Sequence, residues 1–445
     1  SVSLEGDGLA PLRFTAAFPF TFTQQERNDI RWYLETYLQY PLDPADKRAA
    51  RVEALMADLG ERLFRAVFEA DRDAFKLWAR LQADLNATRI EVAGDHPRAW
   101  TLPWELLRDP DTETYLALHA QAFVRVHLGP AREVRLPQTA AGEPIRIVLV
   151  IARPGLEADV PYRSVARRVV AALGGSDTVR LDVLRPPTYA ALAQRLRQAK
   201  DAGAPYHFVH FHGHGIYADL SPKQNLSGIL KALSALLFTA PRQGEHGYLL
   251  FENPEVEENV RPVDGPTLGD LLVETGVGVL VLNACRSGRA AEDADGAPDD
   301  AAPKDKAAAD RHDRVRAFGS LAQEVMDAGV PGVVAMRHNV YVVTAARFVA
   351  ELYAALLRGR TLGQAVTAGR KHLSADPLRA ILYQPVPLQD WTVPVVYEPA
   401  PIRLFPEPDE ESGDLTLTLD AAAATPGRGD QIDLPAPPDV GFFGR

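Results

Sequence analysis

The sequence predicts an α/β fold: a mostly parallel sheet flanked by helices, preceded by an α+β subdomain. Three observations predict it. From Ile145 onward, short runs of Val, Ile and Leu alternate with amphipathic stretches, the pattern of buried parallel strands joined by covering helices. Two of those runs, one rich in His and one ending in Cys, lead directly into glycine-bearing turns, as strands do where they leave a sheet. Residues 1–140 instead mix helical and strand-like patterns without that alternation.

In chain order, Glu26–Tyr40 and Arg48–Glu69 read as helices. Arg89–Val92 and Ala122–Val126 read as strands around the segment Leu102-Pro103-Trp104-Glu105-Leu106-Leu107. Residues 1–140 are taken as the N-terminal subdomain and 141–400 as the main domain. Within the latter, strands are expected at Ile145–Ile151, Val179–Leu184, Tyr206–His212, Tyr248–Phe251, Val277–Leu282 and Gly332–Met336. Helices are expected at Tyr189–Ala199, Leu268–Glu274, Gly319–Asp327, Thr344–Leu357 and Leu362–Leu373.

Two stretches fall outside this pattern. Ala290–Asp313 consists mainly of Ala, Asp, Pro and Lys and has no large apolar residue to offset its ordering entropy, so a mobile insertion is expected over 290–313. Pro399–Pro438 is rich in Pro and acidic residues, and 401–445 reads as a linker with one alternating stretch, Leu415–Leu419, suited to an edge strand.

With 445 residues, 46% of them apolar, the chain can bury a large core. A net charge of -11 argues against nucleic acid and acidic lipid as partners, because both are bound by clustered Lys and Arg. The single cysteine allows no internal disulfide, which fits a reducing, cytoplasmic setting. No apolar run approaches the ~20 residues of a membrane helix.

That cysteine carries the chemical argument. The run Val277–Leu282 leads into Asn283-Ala284-Cys285-Arg286-Ser287-Gly288, so Cys285 is expected at the carboxyl end of a strand, where open α/β sheets form their ligand crevice. A thiol becomes a nucleophile as thiolate and needs a base beside it. The candidate base lies in His207-Phe208-Val209-His210-Phe211-His212-Gly213-His214-Gly215, a second strand running into glycine. If the two strands are adjacent and parallel, His214 and Cys285 emerge at one edge. Gly215, lacking Cβ, would let its N–H approach a substrate carbonyl and form an oxyanion hole with the N–H of Cys285.

Each of these residues also has a plainer reading. A lone cysteine in an apolar strand is commonly a small buried residue, and Ser287 suits a turn as well as a site. His210, His212 and His214 are expected on one strand face, where a His-x-His pair can hold zinc. No Cys-x-x-Cys or His-Glu-x-x-His motif supplies a further ligand, so neither a metal nor another cofactor is implied. His210 and His212 are instead expected to support the site by hydrogen bonding, with His207 on the opposite face. Trp104 and Trp391 read as core aromatics.

His210 to Gly215 resembles the His-x-x-x-His-Gly signature of CHAT-domain proteases, and Leu280 to Gly288 resembles their Leu-x-Ala-Cys-x-[Ser/Thr]-Gly block. CHAT domains are related to caspases and separases, within clan CD. Leu102–Leu107, Leu321 to Met336, and Gln389-Asp390-Trp391 with Pro394 and Tyr397 extend the resemblance across residues 90 to 400.

The resemblance implies a caspase-like fold and a cysteine endopeptidase with Cys285 and His214 as its catalytic pair, acting on protein substrates. A regulated role in bacterial defence or cell death and self-cleavage within 290–313 are further implications. The clan divides between acidic and basic preference before the cut. Asn283 is neutral where metacaspases carry Asp, leaving Asp219 and Glu252 as candidates for a basic preference. The rival reading is a catalytically silent adaptor with the same fold. Gly441-Phe442-Phe443-Gly444-Arg445 resembles the opening of AAA or STAND-type ATPase modules, which implies a regulatory C-terminal module in a longer protein.

Overall fold

The structure is a computed structural model that describes residues 2–4, 12–14, 18–94, 101–127, 143–155, 179–220, 244, 246–283, 321–338, 340–380 and 385–406. Its strands in chain order begin with β1 (Val2–Leu4), β2 (Leu12–Phe14), β3 (Arg89–Gly94), β4 (Ala122–His127), β5 (Ile145–Ile151) and β6 (Val179–Val183). Next come β7 (Phe208–His212), β8 (His214–Ala218), β9 (His246–Glu252), β10 (Val260–Asp264) and β11 (Val279–Asn283). The last are β12 (Gly332–Met336), β13 (Leu378–Arg379), β14 (Val386–Pro387) and β15 (Pro394–Tyr397).

Eight of them form the central sheet, in the order β3-β4-β15-β12-β11-β7-β5-β6. The block β12-β11-β7-β5-β6 is parallel throughout. β15 joins β12 antiparallel, and β4 and β3 continue parallel to β15. The sheet is therefore mostly parallel, with one antiparallel joint. β5 lies between β6 and β7, so the strand order reverses there and opens the switch point of an α/β sheet at the carboxyl end of β7.

Side-chain alternation along the strands feeds two cores. Ile147, Leu149, Phe208, Val279, Val281 and Val334 share one core with the helices Val342–Leu357 and Leu362–Ala375. Val148, Val150, Val209, Phe211, Leu280 and Leu282 share the other with the helices Tyr189–Asp201 and Gly265–Thr275 and the helical residues 321–327. Local chemistry sets the helix ends. Thr361 and Gln364 form a capping box before Leu362. Asp264 caps the helix starting at Gly265, which stops at Gly276 with φ +77°, a conformation that costs glycine little.

A second, antiparallel sheet stands beside the first, in the order β10-β9-β8. It holds the expected strand Tyr248–Phe251, which is thus not part of the central sheet. The segment read as an N-terminal subdomain supplies β3 and β4 to that sheet. Its Glu105, buried, accepts from Arg125 Nε at 3.0 Å and Nη2 at 2.6 Å. Arg337 lies 3.6 Å and Arg370 3.8 Å from the same carboxylate.

Part of the stretch read as linker is packed. Ile402, Leu404 and Phe405 are buried, and Phe405 meets the His207 ring edge-on at 5.5 Å. The insertion 290–313 and the alternating Leu415–Leu419 lie outside the described residues. Among the described residues, no helix is long and apolar enough to cross a membrane.

Candidate active site

β7 and β11 are adjacent and parallel, and their last paired rung is His212 opposite Asn283. The chain then turns at Gly213, whose N–H reaches Asn283 O at 3.4 Å, while Ala152 N–H donates to His212 O at 2.9 Å. The ends of β5, β7 and β11 are thereby joined at one level. A Cβ on residue 213 would lie 2.8 Å from the Phe211 ring and 3.3 Å from Ala152 O, so the turn needs glycine for its close approach. Gly213 is the site residue that the sequence argument overlooked. Its position between two histidines at the end of an apolar strand was the available signal.

Past this turn the structure departs from expectation. His214 opens β8, paired with Leu250 of β9, and so belongs to the second sheet rather than to the strand face of His210 and His212. It is half-buried. Gly215 follows it, buried and opposite Leu249. Among the described residues β8 pairs only with β9, so alternate N–H groups of this edge strand point away from the ladder.

The imidazoles inside the sheet are neutral. Burial lowers the pKa of His210 to about 3. It also carries His212 well below the ordinary histidine value, with His210 adding to the effect. For His207, burial and then the Arg146 charge lower the value to about 4. His207 accepts from the Arg146 N–H through Nδ1 at 2.9 Å. His212 Nε2 lies 3.5 Å from Asn283 Nδ2 on the neighbouring strand. The hydrogen bonding expected of His210 is not seen: among the described residues neither ring nitrogen has a hydrogen-bond partner, and the ring stacks on His212 at 4.7 Å instead. Its register neighbours on either side are Leu149 and Val281, which offer only apolar side chains.

The remaining candidates separate. Asn283 is fully buried at the end of β11. Glu252 ends β9, two residues from the partner of His214, and its Oε1 accepts the Arg153 N–H at 2.8 Å just beyond β5. Asp219 follows the far end of β8, five residues and roughly 16 Å of strand from His214, and its Oδ2 accepts the Gly244 N–H at 3.2 Å. Cys285 and Ser287 lie outside the described residues. Among the described residues, no group of three or more His, Cys, Asp or Glu has the arrangement of a metal site.

A mostly parallel sheet with helices on both faces, and a histidine turn at its switch point, defines a layered α/β protein whose candidate site lies at the carboxyl ends of its strands. The sequence matches the CHAT domain over residues 57–397, and the chain belongs to the CHAT-domain family. It is similar to a chain in the crystal structure of the Saccharomyces cerevisiae separase–securin complex, at 12% identity and a TM-score of 0.30. The similarity covers 84% of this chain and 22% of that one. No curated protein matches the chain.

Proposed function

We propose that the chain is a cysteine endopeptidase in which Cys285 is the nucleophile and His214 its general base. The observation that carries this reading is the rung His212–Asn283 on neighbouring parallel strands. His214 and Cys285 are each two residues beyond it in the sequence. In the reaction His214 takes the thiol proton and the thiolate attacks the scissile carbonyl. The oxyanion accepts from the N–H groups of Gly215 and Cys285. Collapse expels the amine, which takes the proton from His214. Water activated by His214 then hydrolyses the thioester and restores the thiol.

A basic residue before the cut fits this reading, with Glu252 better sited than Asp219 because it is on the strand that pairs with His214. A regulated effector role in bacterial defence or cell death accompanies it. The test is mass-spectrometric mapping of a peptide library incubated with the purified chain. Cys285→Ala is expected to abolish cleavage. His214→Ala is expected to lower turnover by ~10²–10⁴-fold, far more than His207→Ala. Full turnover by Cys285→Ala overturns the assignment, whereas an intact chain that cleaves nothing returns the silent-adaptor reading.

A further inference from the structure

We infer that Asn283 is a positioning residue for the cysteine and not a substrate contact, acting through its side-chain link to His212. The inference rests on the proposed role of Cys285, two residues further along the chain. Asn283 has no exposed surface and His212 almost none. Their side chains meet on the last rung that β7 and β11 share, with the amide nitrogen 3.5 Å from the ring nitrogen. With the amide NH₂ as donor, His212 Nε2 is the acceptor and the ring proton sits on Nδ1. The link therefore needs a neutral imidazole, which the enclosed site favours.

Three backbone elements converge at this level. Ala152 N–H is held by His212 O, and Gly213 N–H lies against Asn283 O. Beneath it, His210 stacks on His212 and limits the tilt of that ring. The side-chain link adds a cross-strand tie at the last paired rung of the two strands. Its function is to fix the departure of the cysteine segment relative to the histidine segment. A misplacement of about 1 Å between reacting groups can cost about 10²-fold in rate.

The chain holds one cysteine, so alkylation by iodoacetamide reports on Cys285 alone and does not depend on any substrate. The measurement is alkylation rate against pH for the full chain and for Asn283→Leu, His212→Leu and His212→Gln, with folding checked by thermal melting. Where cleavage is measurable, kcat and KM are read alongside. In the folded leucine variants the alkylation midpoint is expected to rise by about one pH unit, with kcat reduced about 10²-fold and KM unchanged. His212→Gln keeps an acceptor for the amide and is expected to retain most of the wild-type profile. A folded leucine variant with the wild-type profile overturns the inference, as does a glutamine variant shifted as far as the leucine one. Should one leucine variant not fold, the other decides. If wild type cleaves nothing, the protease reading fails while the alkylation profiles still test the link.

Discussion

His210 and His212 stack with ring centroids 4.7 Å apart and planes inclined by 25°, yet only His212 has a hydrogen-bond partner on the neighbouring strand. With no partner among the described residues, the imidazole between Leu149 and Val281 carries the desolvation cost of its nitrogens without compensation. His210→Leu, which removes those nitrogens and keeps much of the volume, is therefore expected to leave stability unchanged or raise it by about 1 kcal/mol. Urea denaturation measures it. A loss above about 2 kcal/mol would show that the ring is satisfied in solution, by buried water for instance.

The buried histidines also set a pH dependence. His207 and His210 have folded values near 4 and 3, below the ordinary value of 6.5. Between those limits the unfolded chain binds protons that the folded chain refuses. Their contribution is complete above pH 6.5 and declines as pH falls toward 4, by up to about 1.4 kcal/mol per pH unit for each histidine. Denaturation midpoints measured from pH 7.5 to 5 are expected to fall, and His210→Leu is expected to flatten that slope by one proton's worth.

Glu105 is the carboxylate around which Arg125, Arg337 and Arg370 gather in the interior. Burial raises its pKa, but Arg125 and the other two guanidiniums outweigh that and hold it below the usual carboxylate range. Removing it leaves buried cations with less compensation. Glu105→Ala is expected to cost about 3–5 kcal/mol, read by chemical denaturation.

Gly213→Ala tests the turn. The added methyl meets the Phe211 ring and Ala152 O, so the turn must shift by a few tenths of an ångström or more. The expected stability cost is about 1–3 kcal/mol. Peptide cleavage is expected to fall further than that loss explains, because the shift moves His214. A variant with wild-type turnover would show that the turn tolerates the displacement.

Legibility followed burial. Ile145–Ile151 and Gly332–Met336 were readable to the residue because strands covered on both faces read as apolar runs, the first interrupted only by Arg146 near its start. β8 and β10 were not, since one carries His214 and Gly215 and the other Arg261 and Pro262, which break any alternation. The helix Arg72–Leu81 went unread, although Ala74, Leu77, Trp78 and Leu81 recur at helical spacing. In the tail, Ile402, Leu404 and Phe405 were masked by surrounding prolines and acids, because burial of an irregular segment leaves no period to detect.

The sequence by itself determined which segments become buried strands, that one ends in histidines and glycine and another in Asn283-Ala284-Cys285, and that the chain resembles the CHAT domain. These are local properties, written in apolar runs and turn residues. Only the tertiary structure decided that β7 and β11 are neighbours in register, that His212 faces Asn283, that His214 leaves for a second sheet, and that His210 finds no partner among the described residues. Strand order and the satisfaction of buried polar atoms depend on contacts between residues far apart in the chain, so no local pattern encodes them.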